Sequence, residues 1–237
     1  MSGLRTLHLC QFNFADQDIT VVGSEITAGP SLSGIEEPIA TDGGGFWQAA
    51  FSNADFGGPD DDDRAATLAW RAINAGLSGG QRAIVRFCDR LHQPVLDRAT
   101  VPHSDGTPFS DDSEYVSPGS SATVLAVVNG EADGLNATII DISLASERPL
   151  IGGERFTHVH AIWLDRCYEI SAIEPLDTGL RITFQPPIRG GIAAGDPLDF
   201  GDPRCVMRRA SQPTNALNLG RFSSASITFV EDMRPPA

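Results

Sequence analysis

The spacing of apolar positions changes character twice along this chain. Over residues 64–77, Ala66, Ala69, Trp70, Ile73 and Leu77 recur three or four apart, which makes one stripe on a helix. Asp60 to Asp63 just before it suit a helix start and its dipole, and Gly79-Gly80 suits its end. Residues 81–89 then alternate, with Ala83, Val85 and Phe87 on one side of a predicted half-buried strand. Upstream, 4–12 and 18–22 read as strands, and 43–51 reads as a glycine turn followed by a strand. Downstream, 123–128, 137–142, 157–163, 168–173 and 181–184 are five further short strands, with no helical period among them.

Between these halves, 98–121 is rich in Asp, Ser, Pro, Gly and Thr and predicts an exposed loop or linker. A last strand over 223–231 follows a polar linker and is expected to return to the first half. The expected fold class is therefore mainly β with one helix. It is a β-sandwich with a flanking helix over 1–116, completed by 211–237, plus a small β-barrel or sandwich over 117–210.

Composition narrows the function classes. A net charge of −14 disfavours nucleic acid and anionic membranes as partners. All 17 basic residues are arginine, so neither a Schiff-base lysine nor a P-loop lysine exists here. Cys10, Cys88, Cys167 and Cys205 lack any CxxC spacing; a disulfide stays open, and a reduced cytosolic setting is the simpler expectation. The start of the chain, Met1-Ser2-Gly3-Leu4-Arg5, opens no apolar run, so neither a secretory leader nor a membrane span is expected.

Candidate chemistry is thin. His158 and His160 stand two apart, and on a strand they share a face, where both rings can meet one metal. With Gly152 and Asp165 they partly resemble the first cupin motif, but an Asp stands where that motif has Glu, and no histidine follows His160. They are weak metal candidates, and no metal or other cofactor is expected. Asp60 to Asp63 lack the alternating ligands of a calcium loop, and no Gly-x-Ser-x-Gly elbow is present. Asp111, Asp112, Glu114, Asp196 and Asp199 supply carboxylates without any pattern that pairs two of them for glycoside chemistry. No catalytic residue is assigned.

Two stretches carry a family resemblance. One is Trp70-Arg71-Ala72-Ile73, the glycine turn, and the strand from Arg82 to Phe87. The other runs from Gly152-Gly153-Glu154-Arg155-Phe156 through Tyr168-Glu169-Ile170 and Ile182-Thr183-Phe184-Gln185-Pro186-Pro187-Ile188-Arg189 to Gly195-Asp196 and Met207-Arg208. Phe229-Val230-Glu231 adds a closing strand. In this order they resemble the distal tail proteins, or related minor tail proteins, of long-tailed bacteriophages and gene-transfer agents. The resemblance implies a structural, non-enzymatic virion component at the tail tip, assembled in the host cytoplasm. It implies a tail-tube-like ring domain and an outer barrel, closing as a hexameric homo-oligomer between the tail tube protein and the tail hub. Arg82, Arg86, Trp47 and Arg189 are the residues expected at its contacts. The alternatives are another minor tail or hub protein, a peripheral carbohydrate- or receptor-binding module, and a cupin-like metalloprotein. The loop over 98–121 has no counterpart in the family pattern.

Overall fold

A computed structural model describes residues 4–234 except 13, 24, 28, 30–31, 35–37, 41–42, 56–60, 90–91, 95–99, 102–114, 117–124, 130–135, 145–148 and 218–222. The first part of the chain contributes β1 (Thr6–Leu7), β2 (Asp16–Val22), β3 (Glu25–Thr27), β4 (Pro38–Ala40), β5 (Phe46–Asp55), helix α1 (Asp61–Gly76) and β6 (Arg82–Arg86). A short pair follows, β7 (Thr100–Val101) with β8 (Tyr115–Val116). Next come β9 (Leu125–Val128), β10 (Ile139–Leu144), β11 (Arg155–His160), β12 (Leu164–Leu176), β13 (Gly179–Gln185) and β14 (Pro197–Asp199). The chain ends with β15 (Arg204–Arg209), β16 (Thr214–Leu217) and β17 (Ser223–Glu231). The protein is mainly β with one α-helix among the described residues.

The strands form two main bodies. A seven-stranded sheet has the order β1-β6-β15-β17-β5-β2, with β16 paired to β17. The strands β10-β13-β12-β11-β14-β9 close into a barrel, which leaves none of its six strands with an open edge. The barrel strands lie in sequence between β6 and β15, which are antiparallel neighbours in the sheet. The chain thus leaves the sheet after β6, builds the barrel, and returns one strand over.

That path corrects the expected boundary. Residues 204–209 fall inside the 117–210 segment assigned to the barrel, yet they pair with β6 and β17 in the sheet. Other differences are local. The single strand expected over 4–12 is a two-residue parallel pairing with β6 followed by a 3-10 turn, Leu9–Phe12, which drops Leu9 and Phe12 into the core. The strand expected over 157–163 ends at His160, and Trp163 lies in the turn before β12. The expected loop over 98–121 contains β7 and β8; its remainder lies outside the described residues.

The sheet core follows from alternation. Ala83 and Val85 of β6, Trp47, Ala49 and Phe51 of β5, and Ala225, Ile227 and Phe229 of β17 are all buried. On α1 the predicted stripe buries Trp70 and Ile73, each worth roughly 2–3 kcal/mol. Trp70 packs edge-on against Phe12 at 5.7 Å and Phe14 at 6.0 Å. The turn after the helix needs a glycine, because Gly79 sits at φ 70°. The barrel has its own core, in which Phe156, Tyr168, Phe184 and Phe200 meet at ring separations of 5.3–5.5 Å.

Cys10 and Cys88 are joined in a disulfide, with Cα atoms 5.5 Å apart, so the expectation of reduced cysteines does not hold for this pair. The parallel pairing of Thr6 with Ile84 and Leu7 with Val85 brings the two segments side by side, and the 3-10 turn that follows sets Cys10 beside Cys88. Cys167 and Cys205 are free and buried, and burial pushes both thiols well above their usual range.

Candidate functional site

The histidine pair lies inside one end of the barrel. Phe156, His158 and His160 project from the inward face of β11, while Val159 between them is 55% exposed. The two imidazoles meet edge-to-face, 4.6 Å between centroids. Hydrogen bonding assigns their tautomers. The backbone N–H of Arg189 donates to the Tyr168 hydroxyl oxygen at 3.2 Å, which leaves the hydroxyl proton for His160 Nε2 at 2.7 Å. His160 Nδ1 therefore carries the ring proton, buried and without a well-aligned acceptor. His158 Nδ1 donates to the Pro197 carbonyl at 3.2 Å, and its Nε2 stands 3.7 Å from an Asp196 carboxylate oxygen.

In this arrangement His160 Nε2 is occupied by the Tyr168 hydroxyl and His158 Nε2 faces an Asp196 carboxylate oxygen, so the two nitrogens do not converge on one partner. Burial first, then the charges of His158 and Arg166, hold the His160 pKa down to about 3. Burial likewise pushes the Tyr168 hydroxyl up, out of any physiological titration. Among the described residues, no group of three or more His, Cys, Asp or Glu side chains is placed to hold a metal ion.

A second polar cluster lies where barrel and sheet meet. Arg166 of β12 and Glu231 of β17 pair at 3.0 Å, with each side chain only 1% exposed. The other Glu231 oxygen accepts the Trp47 backbone N–H at 3.1 Å and stands 3.6 Å from Arg189. Arg166 further donates to the carbonyls of Trp163 at 2.9 Å and Asp232 at 2.8 Å. Removing either member of such a buried pair strands the other, which is why the remaining donors matter. Arg189 also donates to the Gly45 carbonyl, while its Nε is buried without a partner. Gly44 and Gly45 have φ of 97° and 91°; a Cβ on Gly44 would collide with the Pro187 ring, and one on Gly45 would lie 2.8 Å from Val21.

The junction is tied at further points. Thr157 Oγ1 of β11 donates to the Arg204 carbonyl at 2.9 Å and accepts the Arg204 N–H at 2.7 Å, a side chain acting as a rung between barrel and sheet. Arg204 pairs with Asp165 at 2.6 Å and Asp199 at 2.7 Å. Arg155 pairs with Glu169 at 2.7 Å, donates to the Ile19 carbonyl at 3.0 Å, and lies 5.4 Å from the Trp47 ring centre. Trp47 Nε1 donates to the Cys167 carbonyl at 2.7 Å.

Each of the four residues expected at subunit contacts has a partner within the chain. Trp47 has no exposed surface and is spent inside the chain, between β5 and the barrel. Arg86 pairs with Asp202 at 2.6 Å and meets His8 at 2.8 Å. Arg82 donates to the Arg234 carbonyl at 2.9 Å. Arg189 lines a groove of about 510 Å³ with Gly45, Phe46, Arg208, Met233 and Arg234.

Glu231, Arg166 and Arg204 were not singled out in the sequence, although two carried a signal. Ile227, Phe229 and Glu231 share one phase of an alternating strand, so a carboxylate stands on the buried face. Arg166 shares its phase with Tyr168 and Ile170 in the same way. No family model matches the chain, and no curated protein matches it as a relative.

Proposed function

We propose that this chain is an assembly component of a long-tailed phage or gene-transfer-agent tail, a distal tail protein that closes as a hexameric ring between tail tube and tip hub. One observation carries the reading. The two latest parts of the resemblance, the Pro-Pro-Ile-Arg segment and the closing strand, meet in one buried cluster through Arg189 and Glu231, 3.6 Å apart. The residues that suggested the family are thus used for architecture: Trp70 anchors the helix, Pro187 packs on the Gly44 turn, and Arg189 ties barrel to sheet. Polar groups in these positions hold two bodies in one arrangement, as a ring subunit with an attached outer domain requires.

In this role the protein turns nothing over. The sheet domain makes the ring, the barrel faces outward, and the acidic surface keeps passing DNA from sticking. The test is location. Tailed particles purified from the producing cells should contain this chain, and a gold-labelled antibody to it should mark the tail end away from the head. Particles free of the chain, or label on the head, would exclude the role.

A further inference from the structure

The groove that Arg189 lines gathers more positive than negative side chains, against the acidic balance of the chain. Its wall holds three arginines, Arg189, Arg208 and Arg234, against two carboxylates, Glu231 and Asp232. Both carboxylates are already engaged: Glu231 by Arg166 and the Trp47 N–H, and Asp232 by Arg234 at 3.0 Å. Arg189 stands 3.6 Å from Glu231, so among the described residues Arg208 is the groove arginine that remains without a carboxylate. The Arg189 side chain is 9% exposed and its Nε has no partner. Arg208 is exposed and forms no ion pair among the described residues. Phe46, Val230 and Met233 give the groove an apolar side, and Met233 is 42% exposed.

The complementary surface is on the same chain. Asp61, Asp62 and Asp63 open α1 without an ion pair among the described residues, and Asp61 and Asp62 are exposed. The two surfaces cannot meet within one molecule. The groove lies at the start of β5, at Gly45 and Phe46, and the acidic helix start follows the far end of β5. Ten strand residues separate those ends, a span of roughly 30 Å. Helix α1 then runs back, since Arg234 of the groove reaches the Gly80 carbonyl just beyond the helix at 2.8 Å.

We infer that the groove around Arg208 and Arg189 receives the acidic start of α1, Asp61 to Asp63, from a second copy of this chain. Two different patches at opposite ends of one subunit make a head-to-tail contact, the kind that closes a ring rather than a two-fold dimer. The exposed guanidinium of Arg208 takes the carboxylates, and the methylenes of the helix turn lie on Phe46 and Met233. This inference rests on the ring reading and names which surfaces would build it.

The test is a charge exchange in the full chain, read by sedimentation velocity at low and high salt. Arg208→Glu should weaken self-association about tenfold or more, as should Asp61→Arg with Asp62→Arg. All three changes in one chain should restore it to within about threefold of wild type, because opposite charges face each other again. A folded Arg208→Glu protein that associates like wild type overturns the groove and leaves the ring reading standing.

A second probe separates the two ideas if the wild type does not associate. A fluorescent peptide of residues 60–77 should bind the chain, and Arg208→Glu should reduce that binding. A monomeric wild type that binds the peptide in this way supports the groove and removes the ring. One that shows no binding at about 1 mM peptide overturns both.

Discussion

The two buried polar clusters of this protein differ in how they are built. His158 and His160 come from one strand, two residues apart, and their neighbours Tyr168 and Asp196 use up their ring nitrogens separately. Arg166, Arg189 and Trp47 come from three separate segments and converge on the one carboxylate of Glu231. The pair that looks like chemistry in the sequence is packed into a barrel end, with His160 held neutral by burial. The cluster whose partners are joined by no local pattern holds the barrel to the sheet. Nearness in sequence is weak evidence for a site, because a shared strand face fixes direction but not where the lone pairs point.

The comparison breaks most decisively at Glu231. Glu231→Ala leaves Arg166 buried without its carboxylate and should destabilise the protein by about 3–5 kcal/mol. Urea unfolding would measure this, and a loss under about 1 kcal/mol would mean the cluster is not what holds the junction. Gly44→Ala comes next, because it adds a Cβ against Pro187 at a φ of 97°. A cost of roughly 2–3 kcal/mol is expected from strain and displacement. An unchanged unfolding midpoint would show that this close approach is dispensable.

At the histidine end the effect is smaller and depends on pH. His160 has a folded pKa of about 3 against 6.5 for a free imidazole, so the unfolded chain binds the extra proton between those values. The contribution of neutral His160 is therefore complete above pH 6.5 and is lost as pH falls toward 3, by about 1 kcal/mol per pH unit. His160→Phe should flatten the stability slope between pH 6 and pH 4 relative to wild type, whatever it does at pH 7. Parallel slopes for the two proteins would contradict a neutral buried His160. Smallest of all, zinc added to the folded protein should shift its Tm by less than about 1 °C, since the two imidazoles do not converge. A rise of several degrees that His158→Ala abolishes would restore a metal site.

The elements legible in the sequence are those set by short-range period. The α1 stripe of Trp70 and Ile73, the alternation of Ala83 and Val85, and the end of the helix at Gly79-Gly80 all follow from local spacing. What stayed hidden is long-range. Nothing in Arg204–Arg209 itself says that it leaves the barrel and lies beside β6, because Cys205, Val206 and Met207 are buried residues either way. The Cys10–Cys88 bridge depends on a parallel pairing between segments 78 residues apart. Glu231 was readable as a buried carboxylate from its phase with Phe229, but its arginines could not be chosen without the fold.

The central claim is that these clusters stiffen a subunit made for a ring. Light scattering of the purified full-length chain at low salt, with negative-stain images of the same sample, tests it most directly. The account predicts closed six-fold rings with a mass six times that of the chain. A uniform monomer in light scattering, with no rings in the images at any concentration tried, would contradict it.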